Sequence, residues 1–266
     1  MATIEIRGGR TVHYDATGDG PPLLLIGGLG STRKAWQPVV EALAPHYRVL
    51  RMDNRDAGEN DPEDAAYSIE DMAGDVAGFL DALGITRAPV LGHSMGGFIA
   101  LHLALTRPDL VEKLVLVGTS SAAGAALGAP LALSTEEDWI ADPVERALAR
   151  APMTHSPGFF DDKPDLLRAA AERTRGNRIT REGYNRQLSA ISDTHDVRSR
   201  LGEITVPALV LHGDVDPLIP IRGGEVLERD LPNARLSVYS GVGHHPQAEM
   251  PEKFISEVLE FLRGGT

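Results

Sequence analysis

The 266-residue chain contains no cysteine. That absence excludes disulfide frameworks, thiolate zinc sites, iron–sulfur clusters and cysteine nucleophiles by inventory. Positive charge is also scarce: 26 basic residues face 38 acidic ones, a formal net charge of −12. Such a surplus repels phosphate backbones and anionic lipid heads, so neither nucleic acid nor a membrane surface is expected as a partner. No apolar run approaches the ~20 residues of a membrane span. Residues 1–7 lack the basic and apolar stretches of a secretory signal, and a cytoplasmic location is expected. What remains is ordinary globular composition, with 42% hydrophobic and 24% charged residues. The length suits one large domain or one domain carrying an insertion. A chain of this size buries ~70–75% of its unfolded surface and needs no metal or disulfide for its core.

Strand and helix signals alternate, which predicts an α/β fold around a mostly parallel sheet. Segments 3–7 and 11–15 flank Gly8-Gly9 and read as an antiparallel hairpin. Compact apolar runs follow at 22–26, 47–52, 89–91, 114–117, 208–211 and 235–239, as expected of strands buried on both faces. With the hairpin they make eight strands. The clearest helical period starts at Ser68, an N-cap with Asp71 three residues on, and carries Ile69, Met72, Val76, Phe79, Leu80 and Leu83 before Gly84. Pro251 opens a last helix whose inward face is Phe254, Ile255, Val258 and Leu262.

This rhythm fails from Thr119 to about Gly202. Three helical patterns occupy that stretch, near 134–150, 164–174 and 180–191, separated by Pro and Gly. Trp139, Phe159, Phe160 and Tyr184 argue against a disordered loop. The expected division is a core of residues 1–119 and 203–266, with 120–202 as an inserted helical cap. Residues 119–128 form a run of small residues.

The most informative stretch is Gly92-His93-Ser94-Met95-Gly96, between a short strand and an apolar helix that ends near Arg107-Pro108. A sharp strand-to-helix turn holds the central Ser in a strained conformation, and the residues two before and two after approach too closely for side chains. Gly92 and Gly96 meet that constraint. The turn also aims the helix N-terminus, with its free N–H groups, at the reacting centre. A nucleophilic serine needs a base, and the base an orienting acid. One later strand runs into His212-Gly213-Asp214-Val215-Asp216, and another into Gly241-Val242-Gly243-His244-His245. Both loops lie at the carboxyl ends of strands, where open α/β sheets bind ligands.

With those loops in view, the chain resembles the α/β-hydrolase superfamily, in particular its small capped serine esterases and lipases. The likeness covers nearly the whole chain outside the cap. It rests on Gly92-His93-Ser94-Met95-Gly96-Gly97, on Met52-Asp53-Asn54-Arg55 after a strand, on Gly213-x-x-Asp216 and on Gly243-His244. It implies Ser94 as nucleophile, His244 as base and Asp216 as acid. An oxyanion hole is implied from the backbone N–H groups of Met95 and Leu29, each donor worth ~2.7–4 kcal/mol to the transition state. No cofactor or metal is implied, and the substrate would be a small-molecule ester or lactone. One departure is clear. Where the family usually has His-Gly, this chain has Gly27-Gly28, so the usual histidine is missing from what holds the oxyanion loop.

Other residues read more simply. His93 should point away from the nucleophile into a structural role, and His102 should be an interior histidine. His245 suits either the pocket mouth or solvent. Asp53, Arg55 and Asp56 should brace a loop through local ion pairs, and Trp36 and Phe98 should be core. Trp139, Phe159 and Phe160 divide between packing and a substrate pocket, which His245 would join. A metal site at His212-x-Asp214-x-Asp216 is disfavoured, because Gly213 and Pro217 break the period-two geometry. Within the resemblance, carbon–carbon bond hydrolases, enol-lactonases, cofactor-free perhydrolases and non-catalytic ligand receptors stay open. Dehalogenases and epoxide hydrolases carry Asp where this chain has Ser94.

Overall fold

Residues 2–122, 135–137 and 139–264 are described by the computed structural model. Its eight-stranded sheet has the order β1-β2-β4-β3-β5-β6-β7-β8. The elements are β1 (Ala2–Ile6), β2 (Arg10–Thr17), β3 (Pro22–Ile26), β4 (Arg48–Met52), β5 (Ala88–His93), β6 (Val111–Val117), β7 (Ala208–Gly213) and β8 (Ala234–Tyr239). β1 and β2 form the expected hairpin, with Ile6 opposite Arg10. Gly8 and Gly9 turn it at φ 94° and 78°, conformations only glycine adopts freely. β2 also pairs antiparallel with β4, and every pairing from β4 through β3 to β8 is parallel.

The apolar runs form strands because both of their faces are covered. Leu24, Ile26, Val90, Leu114, Leu116 and Val210 pack on one side, with α2 (Ile69–Ala82) and α3 (Met95–Thr106). Their neighbours Leu23, Leu25, Leu91, Val115, Leu209 and Leu211 pack on the other, with α1 (Gln37–Leu43) and Phe254, Val258 and Phe261 of the final helix. Each such side chain stabilises the fold by ~1.5–3 kcal/mol against exposure. Ser68 and Asp71 form the reciprocal cap at the start of α2, and Gly84 stands just past its end with φ 69°.

Between β6 and β7 lie α4 (Pro143–Arg150), α5 (Pro164–Glu172) and α6 (Arg181–Thr194). The first is shorter than the pattern from 134 predicts. Asp142 caps Val144 and Glu145, and Pro143 is pre-set for a first helical position, so helix begins there. Residue 134 lies outside the described residues, as does the small-residue run from 123 onward. Beyond β7 come α7 (Arg222–Asp230), the four-residue α8 (Pro246–Glu249) and α9 (Pro251–Leu262). Among the described residues, no helix is long and apolar enough to cross a membrane.

Candidate active site

Four loops meet at the carboxyl edge of the sheet, after β3, β5, β7 and β8. The sharpest is the turn from β5 into α3. Ser94 sits there at φ 55°, ψ −122°, outside the regions L-residues favour. A Cβ on Gly92 would lie 2.3 Å from the Gly96 carbonyl oxygen, and one on Gly96 2.1 Å from that of Ile26. The two glycines are therefore steric requirements. The Ser94 N–H donates to the Val117 carbonyl at 2.9 Å, and the Thr119 hydroxyl donates to the Ser94 carbonyl at 2.9 Å. Met95 opens α3, so its N–H is one of the first four that have no acceptor within the helix.

Asp216 and His244 meet in the adjoining loops, with Nδ1 of His244 2.7 Å from Oδ2 of Asp216. A carboxylate can only accept, so Nδ1 carries the proton and Nε2 is the basic nitrogen. The other oxygen of Asp216 accepts the N–H groups of Leu218 and Ile219 at 2.8 and 2.9 Å. Burial pushes the Asp216 carboxyl up, but the His244 contact and these donors outweigh it and hold it below its ordinary value. The His244 backbone is fixed from both sides. Its N–H donates to the Thr154 carbonyl at 3.1 Å, and its carbonyl accepts from His93 Nε2 at 2.9 Å.

His93 thus has the structural role expected of it, yet its ring stands beside the site rather than away from it. Its centroid is 4.7 Å from that of His244 and 4.8 Å from that of His245, and the tilted ring of His155 lies 4.8 Å from that of His245. Burial, then the neighbouring imidazoles, lowers His93 to about 3. Burial likewise takes His155 to about 4 and His245 well below its usual range. These rings stay neutral at pH 7, which leaves Asp216 as the dominant charge beside His244.

The loop after β3 passes close to Ser94: a Cβ on Gly28 would lie 3.2 Å from Ser94 Cβ. Polar side chains from distant segments hold it where a histidine is missing. Asn54 Nδ2 donates to the Gly27 carbonyl at 3.1 Å. The Gly30 N–H donates to Gln187 Oε1 at 2.8 Å, and the Gly30 carbonyl accepts from Asn177 Nδ2 at 2.8 Å. Gln187 in turn donates to the Arg55 carbonyl at 2.6 Å and is fully buried. None of these amides stands out in the sequence, because Asn and Gln on a helix or loop read as surface residues.

A cavity of about 310 Å³ adjoins the elbow, reaching Gly27, Gly28, His93 and His245 and extending beneath α4 and α5. Phe160 and His245 line it, and so does the buried Trp36. Trp139 instead packs on Tyr184, with centroids 5.6 Å apart, and Phe159 packs on Phe160 and His155. Phe98 is core, stacked 4.0 Å from His195, which itself lies beside the buried His102. Arg55 pairs with Asp75 at 2.9 Å, and Arg33 with Asp53. All three depart from the local ion pairs expected of them: Asp53 and Arg55 reach partners 20 residues away, and Asp56 reaches Arg186 of α6 at 2.6 Å, 130 residues away. At the disfavoured metal triad, Asp214 accepts the Gly241 N–H at 2.6 Å and His212 Nε2 donates to the Ile219 carbonyl at 2.8 Å. Among the described residues no group of three or more His, Asp or Glu is arranged to hold a metal ion.

A strand–elbow–helix with a strained serine, and an Asp–His pair at the same sheet edge, define a hydrolase architecture. The model of the α/β-hydrolase fold family matches residues 21–251, and the chain belongs to that family. It is 31% identical over 258 residues to a pimeloyl-[acyl-carrier protein] methyl ester esterase of Vibrio vulnificus, covering 94% of this chain and 97% of the relative. It is 34% identical over 262 residues to a 2-hydroxy-6-oxononadienedioate/2-hydroxy-6-oxononatrienedioate hydrolase of Burkholderia vietnamiensis, covering 95% and 91%. The enol-lactonase of Burkholderia xenovorans superposes with a TM-score of 0.85 at 29% identity, covering 98% of this chain and 100% of that one.

Proposed function

We propose that the protein is a serine esterase that works through an acyl-enzyme on Ser94. The Ser94 oxygen attacks the ester carbonyl carbon while Nε2 of His244 takes the hydroxyl proton. Asp216 holds the imidazole tautomer and stabilises the imidazolium. As the tetrahedral intermediate collapses, the carbon–oxygen bond to the alcohol breaks and His244 returns the proton to the departing oxygen. Water then attacks the acyl-enzyme, giving its proton to the same nitrogen, and the carboxylic acid leaves as Ser94 is restored. The reading rests above all on the buried His244–Asp216 contact of 2.7 Å, at the sheet edge that also carries a serine at φ 55°.

The N–H groups of Met95 and Leu29 hold the oxyanion. Gly30 is a poorer candidate than Leu29, because its N–H is already given to Gln187. The helices between β6 and β7 act as a cap over the cavity, which receives part of the substrate. The protein acts in the cytoplasm, on a small-molecule ester or lactone.

A fluorophosphonate probe tests the nucleophile directly. Stoichiometric labelling of wild-type protein, abolished in Ser94→Ala, supports the reading; labelling that persists in Ser94→Ala overturns it. Esterase turnover should fall by ~10⁶ in that variant without unfolding. Carbon–carbon bond hydrolysis is the second reading. Faster cleavage of a vinylogous diketone than of any ester in a graded panel would favour it.

A further inference from the structure

The cavity beside the elbow has an unusual charge for this molecule. Acidic residues outnumber basic ones 38 to 26 in the chain, yet no Asp or Glu lines the cavity among the described residues. The charged side chains that do line it are Lys34, Arg150 and Arg173. Among the described residues none of the three pairs with a carboxylate. Arg150 is half-buried, its guanidinium carbon 4.4 Å from the centroid of the Tyr184 ring, while Lys34 and Arg173 stand exposed.

The chain's structural guanidinium groups behave differently. Arg33 engages Asp15, Asp53 and Glu59; Arg55 engages Asp75; Arg186 engages Asp56. Arg146, also beside α4's aromatic neighbours, is tied to the Ile140 carbonyl at 2.5 Å. Arg150 gives a hydrogen bond to the Tyr184 hydroxyl but meets no carboxylate, and Arg173 and Lys34 stand exposed in the lining, so all three can receive an anion that enters the cavity. A molecule of net charge −12 repels anions at long range. At ~0.1 M salt that field is screened beyond ~10 Å, so local charges decide what a cavity accepts. Three cations with no carboxylate among the lining residues, Lys34 sharing its field with the nearby Glu59, make this one a local anion site.

We propose that the substrate carries a carboxylate as well as the scissile ester, and that Arg150, Arg173 and Lys34 attract and orient it within this cavity. The proposal rests on the serine-esterase reading only for which bond is cut; the recognition of the anion stands on the lining itself. Arg150 is the specific contact, since a half-buried fork of N–H donors matches a carboxylate. The exposed Lys34 and Arg173 act mainly through their field.

Methyl hexanoate and monomethyl adipate make a matched pair, equal in acyl length and differing by one terminal carboxylate. Calorimetric titration of the Ser94→Ala protein with each ester reads binding without turnover. The adipate monoester should bind about tenfold more tightly, the gain from one or two charge-assisted hydrogen bonds. That preference should shrink toward one in Lys34→Gln/Arg173→Gln, whose exposed sites do not threaten folding, and further when Arg150→Gln is added. It should also shrink as salt rises from about 50 to about 500 mM. Equal or weaker binding of the adipate monoester, or a preference that survives the triple substitution, overturns the proposal. Failure of the esterase reading would show separately, as absence of fluorophosphonate labelling in a protein that still prefers the anionic ester.

Discussion

Gln187, on α6, accepts the Gly30 N–H at 2.8 Å from a position 157 residues away in the chain. With its Nε2 on the Arg55 carbonyl it ties the loop after β3 to the loop after β4, and it does so without solvent contact. The loop that lacks a histidine is held instead by an amide from the segment between β6 and β7.

Replacement of Gln187 by Leu therefore strands two half-buried backbone groups, at a cost of up to about 1–3 kcal/mol each. The loop loses its fixed position, and on the proposed mechanism the Leu29 N–H no longer meets the developing oxyanion. Ester turnover should fall about 10-fold or more in kcat with KM little changed, because the interaction matters mainly in the transition state. A merely structural role would lower the unfolding midpoint and leave kcat of the folded fraction intact. Steady-state kinetics beside thermal melts distinguishes the two.

Ser94 stores backbone strain that a glycine would release. At φ 55°, ψ −122°, an L-residue carries a penalty of about 1–3 kcal/mol, so Ser94→Gly should be more stable than Ser94→Ala by that amount. Both variants should be inactive. Gly92→Ala should go the opposite way, since its methyl carbon would sit 2.3 Å from the Gly96 carbonyl oxygen. Urea unfolding of the three variants gives the order, and an equal stability for Ser94→Gly and Ser94→Ala would show that the turn is unstrained.

Much of this architecture is legible in the sequence, for stated reasons. The buried runs, the Ser68–Asp71 cap and the paired elbow glycines are local signals, each fixed by residues a few positions apart. α1 and α7 escape such a reading, because Gln37–Leu43 and Arg222–Asp230 are short, seven and nine residues, and the second holds only Val226 and Leu227 as apolar residues. Asp56 misleads in a different way. Charges at 53, 55 and 56 suggest a local cluster, but tertiary contact sends Asp56 to Arg186. The same holds for Asn54, Asn177 and Gln187, whose value comes wholly from what the fold brings to them. The charge of the cavity is likewise invisible in the sequence, since Lys34, Arg150 and Arg173 are scattered among 26 basic residues.

Buried histidines should make the protein sensitive to mild acid. His195, 3% exposed, is lowered by burial to about 4, against 6.5 for an ordinary histidine. Above pH 6.5 both folded and unfolded chains hold it neutral, and nothing changes. Below that value the unfolded chain takes up the proton first, so stability falls as pH drops from about 6.5 toward 4. Each such histidine contributes a slope of up to about 1.4 kcal/mol per pH unit. The unfolding free energy should therefore decline between pH 7 and pH 5, and His195→Asn should flatten the curve. A decline of unchanged slope in that variant would assign the effect to other groups.

The last test joins α6 to catalysis through Asp56. Its side chain is fully buried and accepts from Arg186 at 2.6 and 2.9 Å, from the Tyr67 hydroxyl at 2.8 Å and from the Glu63 N–H at 2.9 Å. Removing the carboxylate leaves the Arg186 charge and the Tyr67 donor without their partner, a loss of up to about 3 kcal/mol, below that of a fully buried pair because Arg186 is partly exposed. Arg186 and Gln187 are consecutive on α6, so a helix released at one loses its register at the other. Asp56→Ala should thus reproduce the kcat loss of Gln187→Leu, and the double variant should be little worse than either, since residues that act through one element are not additive. Fully additive losses in kcat would show that the ion pair and the amide hold the loop independently.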